Sequence, residues 1–229
     1  MTEHEWREAT DPQKLLTFLR NAGKASERKL RLFAVACCRR VWSLLTDERS
    51  RQAVEVAEKY ADGGVAAKEL DHALSLALLH AHSLLGRGGP ACDAAYAAAR
   101  CAVVFAADAV GAAQYTAWAI GQKARPVVRL PEQASQAVIL RDIYSNPFHP
   151  LPPLDPAVLT WNGGAVAQLA LAAYNERSMP SGHLDPARLV VLADALEEAG
   201  APAALLEHLR SPGPHVRGCF ALDLVLGNE

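Results

Sequence analysis

The chain has few aromatic residues, no Cys-x-x-Cys pair and almost no net charge. Aromatics are 6% of its 229 residues, too few for an extended base-stacking platform. The five cysteines (Cys37, Cys38, Cys92, Cys101 and Cys219) are odd in number, and two are adjacent. That argues against a disulfide framework and for a reducing cytoplasm. A formal net charge of -2 speaks against a dedicated binder of nucleic acid or of an anionic membrane. The N-terminus, Met1-Thr-Glu-His-Glu-Trp6, is acidic and polar and does not read as a signal peptide. The longest apolar stretch, around Cys101 to Ile120, contains Asp108, Gln114 and much alanine. It is too weakly hydrophobic to read as a membrane span.

What remains is an ordinary globular composition, with 51% hydrophobic and 21% charged residues. From Val65 to Gln122 the chain is mostly Ala, Leu and Val, so helices there can approach closely. Asp11-Pro12 opens a helix that stops near Asn21-Ala22-Gly23. Ser26 caps a second over Glu27 to Leu45, in which Leu30, Phe33, Ala34, Cys37, Val41, Leu44 and Leu45 share one face. Leu32 is the misfit, falling on the polar side. Asp47 or Thr46 starts a third helix to Tyr60, and a fourth fits Ala66 to Leu85. A long fifth, or two joined end to end, covers Ala91 to Lys123. Arg125 to Pro131, with two prolines, reads as a loop, and Glu132 to Tyr144 as a sixth helix.

Ser145 to Pro156 holds five prolines in twelve residues and cannot continue a helix. It divides an N-terminal helical bundle (1–145) from a smaller helical C-terminal subdomain (157–229), with 146–156 as the linker. Helices are expected near Ala165 to Arg177, Pro186 to Ala199, Pro202 to Arg210 and Val216 to Leu226. With no convincing strand alternation, the fold class is all-α, a multi-helix bundle. Apolar residues continue through both parts, which favours one compact body.

The stretch Pro186-Ala-Arg-Leu-Val-Val-Leu-Ala-Asp-Ala-Leu-Glu-Glu-Ala-Gly200 resembles the short "repeat-companion" domain of planctomycete and myxobacterial proteins, often found beside leucine-rich repeats. Arg188, Leu189, Leu192, Ala193, Asp194, Leu196, Glu197, Glu198 and Gly200 match. Ala195 stands where tryptophan is usual, and one extra valine breaks the spacing. The wider layout is similar to an uncharacterised paralogous family of planctomycete proteins. Its marks are Lys29 to Arg40, Arg141-Asp-Ile-Tyr-Ser-Asn-Pro-Phe148, Leu159-Thr-Trp-Asn162 and Gly213-Pro-His-Val-Arg-Gly-Cys219. The resemblance implies a bacterial source and no catalytic residue.

The chemistry-bearing residues are scattered. His80 and His82 point about 200° apart on a helix and cannot chelate one ion together, while His72 lies just over two turns earlier. Adjacent Cys37 and Cys38 diverge by about 100° and read as small buried hydrophobes, as do Cys92 and Cys101. His215 and Cys219 have a helix-compatible spacing, the one local Cys/His pair. Asp108, Asp194 and Asp223 lie in apolar runs and each calls for a partner, with Arg100, Arg188 and Arg217 as candidates. Gly163-Gly164 reads as a flexible cap, and Phe148 as an anchor for the linker.

No cofactor and no metal ligand set follows from these residues. The leading reading is a non-catalytic protein–protein interaction module, an adaptor or accessory subunit of a cytoplasmic assembly with an unidentified protein partner and no membrane. Its candidate face comprises Arg28, Lys29, Arg39, Arg40, Trp42 and Trp161, and an exposed apolar patch near Trp42, Leu32 or Trp161 would support it. Two alternatives stand beside it. One is a metal-dependent helical-bundle hydrolase using His72, His80 or His82 with an Asp from another helix. The other is a nucleic-acid accessory factor using a basic arc of Arg28, Lys29, Arg31, Arg39 and Arg40.

Overall fold

A computed structural model describes residues 1–86, 88–101, 106–121 and 126–228. Among these the chain is all-α apart from one two-stranded ribbon. The helices are α1 (Glu3–Glu8), α2 (Pro12–Asn21), α3 (Glu27–Arg40), α4 (Glu48–Ala61), α5 (Ala67–Ser83), α6 (Pro90–Cys101), α7 (Ala106–Gly121), α8 (Pro126–Tyr144), α9 (Pro156–Asn175), α10 (Pro186–Glu198), α11 (Ala203–Leu209) and α12 (Phe220–Leu226). No helix among the described residues is long and apolar enough to cross a membrane. The chain divides into two compact units, Met1–Leu140 and Arg141–Glu229. The division falls inside α8, ahead of the proline-rich segment, so Asp142 belongs to the C-terminal unit.

Local chemistry explains several helix starts. Asp11, Ser26 and Asp47 accept from the backbone amides of Gln13, Lys29 and Arg49, satisfying donors that have no partner inside the helix. In α1, which the sequence does not signal through apolar periodicity, Thr2 and Glu5 form a reciprocal capping box and Trp6 is buried.

The N-terminal unit is built around α3, which packs against α4, α6 and α7. Every residue from Leu30 to Arg39 is buried, so Leu32 is not a misfit: the helix has no wholly polar side. It stops at Arg40, and a single 3-10 turn over Trp42–Leu44 replaces the end of the expected helix. The stretch expected as a long fifth helix, or two joined end to end, holds two helices, α6 and α7, that pack side by side. Ala94, Ala97, Ala98, Ala112, Ala113 and Ala117 are buried there, and small side chains at a contact bring helix axes together. Cys101 and Asp108, singled out in the sequence, have side chains outside the described residues.

Residues 126–131, expected as a loop, are the start of α8, with Pro131 inside it. Pro131 removes one helical hydrogen bond, and the residues behind it are tied down. Glu132 pairs with Arg40, and the Gln136 amide donates to the Ala113 carbonyl at 3.0 Å.

In the C-terminal unit α9 packs against α10 and α12, and α10 against α11. Its core includes Val166, Ala170, Leu189, Leu192, Leu196, Leu205, Leu209 and Leu222. Each such leucine or valine contributes roughly 1.5–3 kcal/mol of burial. Helix α9 is interrupted from Trp161 to Gly164, where Asn162, Gly163 and Gly164 have positive φ. A short antiparallel pair, β1 (Arg177–Ser178) and β2 (His183–Leu184), forms the one strand ribbon among the described residues. It lies next to residues 215–216, since the Leu184 amide donates to the His215 carbonyl at 2.9 Å.

Candidate functional site

The candidate interaction face does not form in the way the sequence suggests. Arg39 is 4% exposed and bonds Glu58 twice, at 2.6 and 3.3 Å. Arg40 clasps Glu132 through Nε and Nη2 at 2.7–3.0 Å. These bonds hold its guanidinium more firmly protonated than usual, against the pull of burial. Arg28 pairs with Asp62 at 2.9 Å, and Lys29 is half-buried. Arg31 is buried with its guanidinium over the Tyr60 ring. Arg28, Arg39 and Arg40 of the arc are therefore ion-paired and Arg31 is buried against Tyr60, because helices pack on the side that sequence periodicity leaves to solvent. Trp42 is half-buried beneath Arg39 and Arg51, and Trp161 is half-buried against the C-terminal core.

The three histidines of α5 do not converge either. His72 and His82 are exposed, and His82 stands edge-on to Tyr96. His80 Nδ1 lies 3.3 Å from Asp47 Oδ2. Cys37, Cys38 and Cys92 are buried as small hydrophobes. Asp194 pairs with Arg210 at 2.7 Å rather than with Arg188, which pairs with Glu176. Asp223 is buried and accepts from the Asn228 side chain at 3.3 Å, and the Arg217 guanidinium also lies over the Tyr174 ring.

The chemistry instead collects inside the C-terminal unit, around Asp142, His208, His215 and Cys219. Asp142 stands in the last turn of α8, His208 near the end of α11, His215 in the following loop and Cys219 at the start of α12. His215 Nδ1 is 2.7 Å from Asp142 Oδ1. His208 Nε2 is 3.1 Å from the same oxygen and 3.2 Å from Cys219 Sγ. The Val216 amide donates to Asp142 Oδ2 at 2.8 Å, and His215 Nε2 lies 3.1 Å from the Ser211 carbonyl. The two imidazoles meet edge to face, and His208 also lies against Phe220. His215 and Cys219 come together without a helix, which begins only at Phe220.

The sharp turn at Gly213 makes this possible. Its φ is +78°, and a Cβ there would come within 2.8 Å of the His215 backbone nitrogen. Only glycine lets the chain double back so closely before His215.

Electrostatics bind the group together. Burial pushes the Asp142 carboxyl up, but hydrogen bonds and charge from His208 and His215 outweigh it and hold it below the usual range. Burial pushes His215 down, and its Asp142 partner with the Ser211 carbonyl more than reverses this. Burial drives the Cys219 thiol well above its ordinary value, with Asp142 adding to it against the backbone amides of Ala221 and Leu222. A fully buried thiol with that bias is a poor nucleophile, so the Cys/His/Asp set does not read as a catalytic triad. As donors, its members offer two imidazole nitrogens, one sulfur and one carboxylate oxygen.

Of these four residues, sequence analysis picked out His215 and Cys219. It missed Asp142 and His208, although Asp142 lies in one of the stretches that carry the family resemblance and His215 and Cys219 in another. Comparison with protein-family models, with curated proteins and with solved structures gives no match.

Proposed function

We propose that the protein is a non-catalytic interaction module, an adaptor or accessory subunit of a cytoplasmic assembly, and that its partner lays an apolar helix on the face formed by α9 and α10. One observation carries this reading. Leu171, Val190 and Val191 are 52%, 42% and 52% exposed, on two helices that pack together. A shallow groove beside Val191 is lined by Leu169, Ala172, Asp185, Ala187 and Arg188. The groove with exposed Val191 at its side is the apolar surface on which a partner would seat.

The charges around this face indicate the partner's chemistry. Arg188 pairs with Glu176 and Asp185, and Arg210 with Asp194 and Glu197. Two arginines meet four carboxylates, so the surround of the face is net acidic and favours an apolar segment flanked by basic residues. The resemblance of residues 186–200 to a domain that accompanies repeat proteins supports the same reading by analogy.

A photo-cross-linker at Val191 of the full chain, used in native extract and then with the purified partner, tests this. The expected result is one partner, cross-linked through an amphipathic helix, in a complex that survives high salt. Val191→Glu should abolish it without changing the unfolding midpoint. Cross-links only elsewhere on the chain, or none at all, would overturn the proposal.

A further inference from the structure

We propose that Asp142, His208, His215 and Cys219 bind one zinc ion that pins the end of α8 to α11 and to the start of α12. The four donor atoms all lie within 4.8 Å of one another. Tetrahedral zinc, with bonds of about 2.0–2.3 Å, sets its donors roughly 3.3–3.8 Å apart. The short donor pairs, at 2.7, 3.1 and 3.2 Å, would open by up to about half an ångström, and the widest, within 4.8 Å, would close by about 1 Å to admit the ion.

The donors present to an ion the places that protons would otherwise fill. A carbonyl oxygen only accepts, so the Ser211 carbonyl takes a proton from His215 Nε2, with the Ser211 hydroxyl 3.3 Å from the same nitrogen. A neutral ring then turns its Nδ1 lone pair to Asp142 Oδ1, 2.7 Å away, and a divalent cation replaces the second proton that an imidazolium would supply there. His208 Nε2 faces both Asp142 Oδ1 and Cys219 Sγ at nearly equal distances, and the same ion would meet all four donors.

The surroundings hold the donors in place from behind. Asp142 Oδ2 is occupied by the Val216 amide, which leaves Oδ1 as the inward ligand. His215 is oriented by a hydrogen bond from its far nitrogen to a backbone carbonyl, the arrangement that sets the tautomer of a metal-binding histidine. The sulfur and the two imidazoles select zinc or a similar transition metal over magnesium or calcium, which prefer oxygen. Four protein donors leave no open position, so the site is structural rather than catalytic. His208, with 20% of its side chain exposed, gives the ion a way in. On binding, Cys219 gives up its S–H proton to solvent and both imidazoles bind through their neutral nitrogens.

The test uses the tag-free full chain. Metal analysis after purification, or after stripping with a chelator and reloading, should find one zinc per chain. Reloading should raise the unfolding temperature of the stripped protein by about 5–10 °C. Cobalt in place of zinc should give visible bands of a tetrahedral site and a strong near-ultraviolet sulfur-to-metal absorption. Cys219→Ser should remove that absorption. Less than a tenth of an equivalent after reloading, with no shift in unfolding, would overturn the proposal and leave a network held by protons alone. Sulfur-to-metal absorption that persists in Cys219→Ser would overturn it too, since the metal would then lie elsewhere. The wild-type measurements decide the matter even if a variant fails to fold.

Discussion

Asp142 and His215 are 73 residues apart in the chain and 2.7 Å apart in the structure. Both are almost fully buried. Their contact closes the C-terminal unit by joining the end of α8 to the loop before α12. Removing one partner of such a buried charged pair strands the other. Asp142→Ala is therefore expected to cost about 3–5 kcal/mol, read as a drop in the urea midpoint of unfolding. A loss under about 1 kcal/mol, typical of an exposed pair, would show that the network contributes little to folding.

Gly213 offers a sharper probe of the same loop. Gly213→Ala meets both a positive φ and a backbone atom at 2.8 Å, whereas Gly163 also has a positive φ but nothing within 4 Å of its Cβ position. Gly163→Ala should show the conformational penalty alone, of order 1 kcal/mol. Gly213→Ala should cost distinctly more, because the His215 backbone has to move. Equal losses in a denaturation series would mean that the close approach is relieved cheaply.

In the N-terminal unit, Arg39 and Glu58 form a buried pair. Arg39→Ala should destabilise by roughly 3–5 kcal/mol, whereas the double change Arg39→Met with Glu58→Leu should cost much less, because it strands no charge. Thermal unfolding of the single and double variants separates these outcomes. Additive losses would show that the pair does not act as a unit. Reversing Arg39 and Arg40 to Glu, as a test of nucleic-acid binding by the basic arc, should for the same reason perturb folding first.

Asp47 links stability to pH. Its hydrogen bonds from Arg49 outweigh partial burial and, with the nearby charges of His80 and Arg49, hold its carboxyl down to about 2. The unfolded value is about 3.9, so the charged form favours the folded state. That contribution is complete above the unfolded value and is lost as pH falls through the folded one. Asp47→Asn keeps a capping oxygen but loses the charge. The gap between its urea midpoint and that of the parent should be widest at pH 5 and narrow steadily toward pH 3. A gap independent of pH would assign the effect to packing alone.

The sequence was a good guide wherever the physics is local. Asp11, Ser26 and Asp47 act as caps because a side-chain oxygen reaches an amide two or three residues on, and that reach is written in the spacing. Periodicity failed at α3, where it assigns a solvated cationic arc and the structure shows burial from Leu30 to Arg39. A helix enclosed on several sides leaves no polar face to read, and arginines buried with glutamates look like surface arginines in a sequence. It failed again at Pro131, where anchoring of the residues behind the proline offsets one missing hydrogen bond.

The candidate site shows the same boundary. His215 and Cys219 stood out for a helical spacing they do not use, and nothing near Asp142 or His208 points 66 to 77 residues along the chain. By itself the sequence determined the all-α class and the capped starts of the early helices, because helix formation depends on residues within a turn or two. Only the tertiary structure decided which charges are buried and paired, which apolar side chains on α9 and α10 stay exposed, and which four donors meet. Those outcomes depend on what packs against each side chain, and its partners come from distant parts of the chain.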